Sequence, residues 1–139
     1  MSNGQRSLGN EKKVNDRKIL IVDDEERLLR SLAFYFEDEG YDVYISLSGE
    51  DAMEVLRKEN IAACIVDMRL PGIDGNEVIR MANSDQLLDK FIIHTGSTDY
   101  LVPADIKAMG ISSSQVFLKP LTDLSVLVQA IQVLIEGNE

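Results

Sequence analysis

The sequence predicts an α/β protein whose parallel sheet is covered by helices on both faces. Four short apolar runs each end on a polar residue, and segments of helical periodicity separate them. Continuous apolar runs of this length are typical of strands buried on both faces of a parallel sheet. With one further strand of alternating pattern, the chain repeats strand and helix five times, which gives a three-layer (βα)5 domain. Right-handed crossovers favour a doubly wound sheet with the flavodoxin-like strand order 2-1-3-4-5.

Each element is justified by its own local pattern. The first helix carries its apolar residues on one face and stops at Gly40, and a helix after the fourth strand stops at Gly110. Pro103 is tolerable in that helix if it falls in the first turn, and Thr122 is the predicted N-cap of the last helix. The predicted strands are 18–22, 41–47, 61–66, 91–94 and 116–118. The predicted helices are 25–39, one opening at 48–51, one following the turn cluster 70–75, 99–109, and one ending near 136.

Composition and charge limit the classes of function. At 139 residues the chain is one ordinary domain, predicted to span 17–139 behind a disordered arm at 1–16. The net charge of −10 argues against direct contact with nucleic acid or an anionic membrane, because both depend on clustered Lys and Arg. No signal segment and no apolar stretch near the ~20 residues of a membrane span are seen, which favours the cytoplasm. Cys64 lies within an apolar run and is predicted to be a buried hydrophobe.

The polar residues that end the strands predict a site. The carboxyl ends of the strands form the ligand edge of an open α/β sheet, and strands one and three are neighbours in the predicted order. Asp23, Asp24 and Asp67 should therefore share one pocket. Three carboxylates this close need a counter-charge, and Mg²⁺ suits them because it prefers oxygen ligands. Lys119 supplies a second positive charge.

Such a pocket suits phosphoryl chemistry. Asp67 can attack phosphorus as a carboxylate nucleophile to give an aspartyl phosphate, while Mg²⁺ and Lys119 neutralise charge on the transferring oxygens. The hydroxyl of Thr95 can donate to the new phosphate, although a strand-end threonine equally well bonds to its own backbone. A nucleotide- or flavin-binding module is disfavoured, because four consecutive acids, 23–26, follow the first strand where a phosphate-binding loop would lie.

The same residues carry a resemblance to a known family. Asp23-Asp24, Asp67 followed by Met-Arg-Leu-Pro-Gly-Ile-Asp-Gly, Thr95, and Lys119-Pro120 resemble the receiver domain of two-component response regulators, the CheY-like domains. The resemblance covers about residues 17–136, and its motifs come in order at the expected strand ends. It implies a phosphoryl-accepting signalling switch rather than an enzyme, loaded by a histidine kinase or a phosphotransfer protein.

The resemblance also implies a role for each matching residue. Asp67 would be the phosphoacceptor; Asp24 and Asp67 would ligate Mg²⁺ directly with the backbone carbonyl of Arg69, and Asp23 would act through water. Thr95 would be the switch hydroxyl and Lys119 the phosphate partner, with a cis peptide bond at Lys119-Pro120. Arg69 and Ser97 match positions that tune dephosphorylation.

Two positions depart from the family pattern. Receivers usually carry an aromatic residue three positions before the lysine; here that residue is Val116, and Phe117 points to the opposite face of its strand. The residue after Thr95 is Gly96 rather than the usual alanine. These departures leave open a phosphorylation-silent docking domain. An Mg²⁺-dependent phosphatase is a further alternative, although the first strand lacks the spaced pair of aspartates of haloacid-dehalogenase-type enzymes. His94, the only histidine, is left outside the site.

The last helix predicts a partner surface. From Leu124 to Ile135 it has no charged residue. Leu124, Val128, Ile131 and Ile135 form its predicted core stripe, and Val126 and Val133 lie opposite. An apolar solvent face there predicts a homodimer or an effector surface, and dimerisation through the last two helices is common among receivers. Phe34, off the core stripe of the first helix, could help to dock a kinase.

Overall fold

The computed structural model describes residues 16–137. The predicted arm at 1–16 therefore lies, except for Asp16, outside the described residues. The strands are β1 (Lys18–Val22), β2 (Asp42–Ser46), β3 (Ala63–Val66), β4 (Phe91–Thr95) and β5 (Val116–Leu118). The α-helices are α1 (Glu26–Asp38), α2 (Gly49–Lys58), α3 (Gly75–Ser84), α4 (Ala104–Ala108) and α5 (Ser125–Glu136), with a short 3₁₀ turn at Ser113–Gln115.

The sheet has the predicted topology. Its five strands are all parallel and lie in the order β2-β1-β3-β4-β5. The order reverses between β1 and β3, where Val22 pairs with Val66. A doubly wound sheet binds its ligands at this point of reversal, beyond the carboxyl ends of the strands. The predicted three-layer, flavodoxin-like α/β fold is confirmed.

The core consists of two layers, one on each face of the sheet. Leu20 and Val22 of β1 point into the layer under α2, α3 and α4, while Ile19 and Ile21 point into the layer under α1 and α5. This alternation is the two-residue period of a strand, and both faces are covered. That is why the strands read as continuous apolar runs. Cys64 is buried in the first of these layers, as predicted.

The helices begin and end where local chemistry allows. The side chain of Ser48 accepts a hydrogen bond from the backbone N of Asp51 at the start of α2, and Asp74 does the same for Glu77 at the start of α3. Side-chain oxygens at this position satisfy backbone donors that the first turn leaves free. Gly40 and Gly110 follow α1 and α4 with φ of +96° and +97°, so both predicted stops are confirmed.

Two helix predictions are wrong in their bounds. The helix predicted at 99–109 is the five-residue α4, because Pro103 keeps the residue before it out of the helical region and is itself the N-cap. Thr122 does not cap α5, which begins at Ser125. The carboxylate of Asp123 instead accepts from both the backbone N and the Oγ of Ser125, at 3.0 and 2.6 Å.

The core stripe of α5 is also shifted. Leu127 and Ile131 are its buried residues, while Leu124, Val128 and Ile135 are half-buried against the same layer. Leu127 was missing from the predicted stripe. Val133 is 58% exposed and Val126 is half-buried, so the surface side of α5 is less apolar than predicted. Phe34 is exposed on α1, as expected of a residue off the core stripe.

Candidate functional site

Backbone hydrogen bonds continue the strand ladders one residue into the site. The N–H of Asp67 donates to the carbonyl of Val22 at 3.0 Å, and that of Asp23 donates to Ser46 at 3.1 Å. At the other edge, the N–H of Lys119 donates to the carbonyl of Thr95 at 2.8 Å. Each of these side chains therefore leaves the sheet from a backbone position that is already fixed.

The three predicted carboxylates lie together. One oxygen from each of Asp23, Asp24 and Asp67 falls within 4.8 Å of the others. Asp67 is only 5% exposed and Asp23 is similarly buried, whereas Asp24 faces solvent. A cluster of carboxylate oxygens open on one side matches what a hard divalent cation needs, because Mg²⁺ takes one or two carboxylates and keeps several waters.

Lys119 bridges the two buried carboxylates. Its Nζ lies 2.8 Å from Oδ2 of Asp23 and 3.1 Å from Oδ2 of Asp67. Glu25 is a third anionic neighbour at 3.6 Å, which the sequence prediction did not include. The lysine side chain is 12% exposed, so this is a largely desolvated ion-pair cluster, and removal of one member would leave an uncompensated charge. The Lys119-Pro120 peptide bond is cis, as the family resemblance implied.

Burial and charge oppose one another in this cluster. Burial raises the pKa of Asp67 above its usual value, the ammonium of Lys119 lowers it, and the nearby carboxylate of Asp23 raises it again. Burial lowers the pKa of Lys119, but its bonds to Asp23 and Asp67 outweigh that effect and leave it raised. Lys119 is therefore a fixed positive charge next to a carboxylate that would gain from additional positive charge.

Thr95 is fully buried and is engaged with its own chain. Its Oγ1 accepts a hydrogen bond from the backbone N of Ser97 at 3.1 Å. This is the local bond that competes with a role at a phosphate. The interaction uses Oγ1 only as an acceptor, so the hydroxyl hydrogen can still be donated. Gly96, next to it, is exposed, and a Cβ there would meet nothing within 4 Å.

Arg69 and Ser97 lie in the two loops that border the pocket. The backbone N of Arg69 points at Oδ1 of Asp67 over a long 3.5 Å, and its side chain is exposed. Ser97 is half-buried and contacts the site through the backbone bond to Thr95. The predicted site residues are thus brought to one edge of the sheet, although neither Arg69 nor Ser97 is held as tightly as the aspartates and the lysine.

Val116 and Phe117 lie on opposite faces of β5. Val116 packs against the α2–α3–α4 layer and Phe117 against the α1–α5 layer. Phe117 therefore does not reach the side of the sheet on which the usual aromatic residue of a receiver would lie. The aromatic residue is thus one position later than in the family pattern and lies on the other face of β5, as the sequence predicted.

His94 is buried below the site. It is 2% exposed, and within residues 16–137 neither ring nitrogen has a hydrogen-bond partner. Burial, helped by the charge of Lys119 and partly opposed by that of Asp23, lowers its pKa to about 4. His94 pairs in register with Phe117 on β5. It is a neutral core residue rather than a member of the polar pocket.

Known proteins share both the sequence pattern and the fold. The sequence model of the response regulator receiver domain matches residues 19–132. The receiver domain of the Francisella response regulator 1452 superimposes with a TM-score of 0.76 at 19% identity, over 88% of this chain and 99% of that one. Response regulator TrrA from Thermotoga maritima, in complex with Mg²⁺ and BeF, gives a TM-score of 0.72 at 24% identity, over 85% and 98% of the chains.

A receiver domain protein from Clostridium thermocellum gives a TM-score of 0.72 at 28% identity, over 86% of this chain and 94% of that one. The likenesses at 19% and 24% identity are likenesses of fold alone.

Fold and site together define a class of protein. A doubly wound (βα)5 domain with an acidic cluster and a lysine at its switch point has the architecture of the CheY-like proteins. Since the family model covers most of the chain, the protein belongs to the receiver domains of two-component response regulators. This family is one of signalling switches rather than classical enzymes. Within residues 16–137, no helix has the length and apolarity that crossing a membrane requires.

Proposed function

We propose that this receiver domain is a phosphoryl-accepting switch in which Asp67 takes a phosphoryl group from a histidine kinase or a phosphotransfer protein. The observation that carries the proposal is the position of Asp67: a buried carboxylate with Lys119 at 3.1 Å and two further aspartates within 4.8 Å. Burying an isolated carboxylate would cost free energy of folding. We infer that these clustered charges serve to bind a cation together with an anionic phosphoryl group.

The acidic cluster fits Mg²⁺. The proposed ligands differ in how many of their carboxylate oxygens already accept hydrogen bonds from the protein. Asp24 is exposed, and Lys119 bonds to Oδ2 of Asp67 rather than to Oδ1, so both aspartates suit direct ligation together with the carbonyl of Arg69. Asp23 suits contact through water, since its Oδ1 accepts from the backbone N of Glu25 and its Oδ2 from Lys119. When bound, the cation would offset negative charge on the transferring oxygens. The Thermotoga relative was solved with Mg²⁺ and BeF, which supports this assignment.

In the proposed transfer, a carboxylate oxygen of Asp67 attacks the phosphorus of a phosphohistidine. The new O–P bond makes a mixed anhydride, and the P–N bond breaks with its electron pair leaving on the donor imidazole. Lys119 supplies positive charge to the phosphoryl oxygens from a side chain already placed beside Asp67. Thr95 donates its hydroxyl hydrogen to the bound phosphoryl group. Arg69 and Ser97, in the bordering loops, are proposed to tune the rate at which water removes that group.

The proposal is tested by intact mass after incubation with acetyl phosphate or phosphoramidate and Mg²⁺. We expect an adduct of one phosphoryl group in the wild type that is absent from Asp67→Ala and lost on chelation of Mg²⁺. Asp89→Ala is a matched control, because Asp89 is an exposed aspartate outside the site, before β4. A wild type that stays unmodified with these donors and with a cognate kinase would overturn the proposal.

That negative result would favour the phosphorylation-silent docking domain. The observation behind this second candidate is Val116, which places no aromatic ring on the α2–α3–α4 side of β5. Rapid turnover of small phosphate esters would instead support the phosphatase.

The remaining assignments concern place and partners. We propose that the receiver domain spans 17–139 and acts in the cytoplasm. We also propose that it makes no direct contact with nucleic acid or an anionic membrane, because its net charge is −10. A homodimer or an effector is proposed to use α5 through Val126 and Val133. Analytical sedimentation of the wild type and of Val133→Asp tests the dimer. A dimeric wild type and a monomeric variant would support it, whereas a monomeric wild type would favour the effector surface instead.

A further inference from the structure

A continuous series of hydrogen bonds runs from Thr95 to helix α3. The backbone N of Ser97 donates to Oγ1 of Thr95 at 3.1 Å. The backbone N of Tyr100 donates to the carbonyl of Ser97 at 3.2 Å, which closes a turn. The phenolic hydroxyl of Tyr100 then donates to Oδ1 of Asn76, in the first turn of α3, at 2.7 Å. The hydroxyl that ends β4 is thereby linked to the helix that follows the phosphoacceptor loop.

Val102 also anchors this stretch of chain, since its side chain is buried in the α2–α3–α4 layer. The segment between Thr95 and α4 has no regular secondary structure, and the next polar contact with α3 comes from α4 itself, where Asp105 pairs with Arg80 at 2.7 and 3.2 Å. That pair is exposed, so it contributes little to stability. The bond from Tyr100 is partly buried and its ring packs against the α2–α3–α4 layer. Burial also raises the pKa of Tyr100, which keeps the hydroxyl a donor.

We propose that Tyr100 is a positioning residue of the acceptor site, and that its bond to Asn76 is released when Asp67 carries a phosphoryl group. This inference rests on the proposed function. To donate to a phosphoryl group on Asp67, the hydroxyl of Thr95 must turn towards the pocket, and its Oγ1 then moves relative to the N–H of Ser97. Because Ser97 and Tyr100 belong to one hydrogen-bonded turn, Tyr100 moves with them and leaves Asn76. Val116, on the same side of the sheet, has no polar group that could carry this link.

The first test follows Tyr100 directly, with Mg²⁺ and BeF₃⁻ as the phosphoryl mimic. The chain has four tyrosines, so ¹³Cζ-tyrosine labelling gives four resonances, and Tyr100→Phe assigns one of them. We expect the Tyr100 resonance to shift when BeF₃⁻ binds in the presence of Mg²⁺ and to stay in place with Mg²⁺ alone. The resonance of Tyr35, on α1 at the opposite face of the sheet, serves as the control and should not move.

The second test uses thermodynamic linkage. If the complex releases the Tyr100–Asn76 bond, then removing that bond beforehand must strengthen the complex by the same factor. Tyr100→Phe should bind BeF₃⁻ roughly two- to tenfold more tightly by calorimetry, the range that loss of one hydrogen bond allows. Asn76→Ala should give the same gain and the double variant no more than either, whereas Tyr35→Phe should match the wild type.

The outcomes separate the two proposals. Saturable BeF₃⁻ binding with an unmoved Tyr100 resonance, and with unchanged affinity in Tyr100→Phe, overturns the role of Tyr100 and leaves the phosphoacceptor in place. A wild type that binds no BeF₃⁻, like Asp67→Ala, removes the proposed function and this inference with it. Additive gains in the double variant would show that Tyr100 and Asn76 act independently, which also contradicts the proposal.

Discussion

Replacement of His94 by leucine should make the protein less sensitive to acid. His94 is 2% exposed and its ring nitrogens have no partner within the described part of the chain, so the folded protein holds it neutral. Its charged neighbours are Lys119, which repels a proton on the ring, and Asp23, which attracts one. Leucine has a similar size, suits an apolar layer and cannot be protonated.

The size of the effect follows from the pKa. An unfolded chain binds a proton on this histidine near its ordinary pKa of 6.5, whereas the folded chain does so only near about 4. Between these values acid favours unfolding, so stability is lost as the pH falls from 6.5 towards 4. Each pH unit in that window is worth about 1.4 kcal/mol, which gives the wild type a loss of roughly 3 kcal/mol that His94→Leu should not show.

Urea unfolding at several pH values between 7.5 and 4.5 measures this difference. Other groups titrate as well, and the raised pKa of Asp67 acts in the opposite sense. Subtracting the wild-type free energy of unfolding from that of the variant at each pH removes these shared contributions. Because the chain has one histidine, the remaining pH dependence belongs to His94. Parallel curves for the two proteins from pH 7.5 to 4.5 would refute the reasoning.

Three further predictions concern the site and its surroundings. Gly75→Ala should destabilise the fold by about 1–3 kcal/mol in urea, because the new Cβ would clash with the carbonyl of Asp67; Gly96→Ala, where a Cβ meets nothing within 4 Å, should stay within about 0.5 kcal/mol of the wild type. Cys64 should react with a thiol reagent only as fast as the protein unfolds, since burial raises its pKa; fast labelling of native protein would contradict this. Lys119→Met should lower the free energy of unfolding by about 3 kcal/mol, the lower end of the range of about 3–5 kcal/mol for a broken buried ion pair, because the lysine is partly exposed. An unchanged midpoint of urea unfolding would show that the ion-pair cluster is not needed for folding.

The architecture could be predicted because it depends on patterns that the sequence states directly. A strand buried on both faces is a short apolar run, and the polar residue that follows it lies at the ligand edge. This places Asp23, Asp67, Thr95 and Lys119 together without knowledge of any loop. The bounds of the helices were harder to predict from the sequence. Periodicity continues through 99–103, and only the restriction that Pro103 imposes on its predecessor shows that the helix begins at Ala104.

The parts of the site that sequence reasoning missed are contacts between loops. Glu25 approaches Lys119 because the backbone turns after Asp23, and Tyr100 reaches Asn76 because the segment after β4 folds back over α3. No periodicity or spacing marks such pairs, since they depend on the path of irregular chain. Leu127 was missed for a related reason: the start of α5 at Ser125 sets which face of the helix meets the sheet.

The site is shared between two halves of the sheet. Asp67 continues the pairing of β1 with β3, whereas Lys119 continues the pairing of β4 with β5. The halves join through three registered pairs, from Cys64–Phe91 to Val66–Ile93. If Asp67 is phosphorylated as proposed, a phosphoryl group bound by Asp67 on one half and by Thr95 and Lys119 on the other would connect the two halves beyond the β3–β4 pairing. Phosphorylation should therefore slow amide hydrogen exchange in β4 and β5. The outer strands of the sheet would stay more stably paired for as long as the phosphoryl group is present.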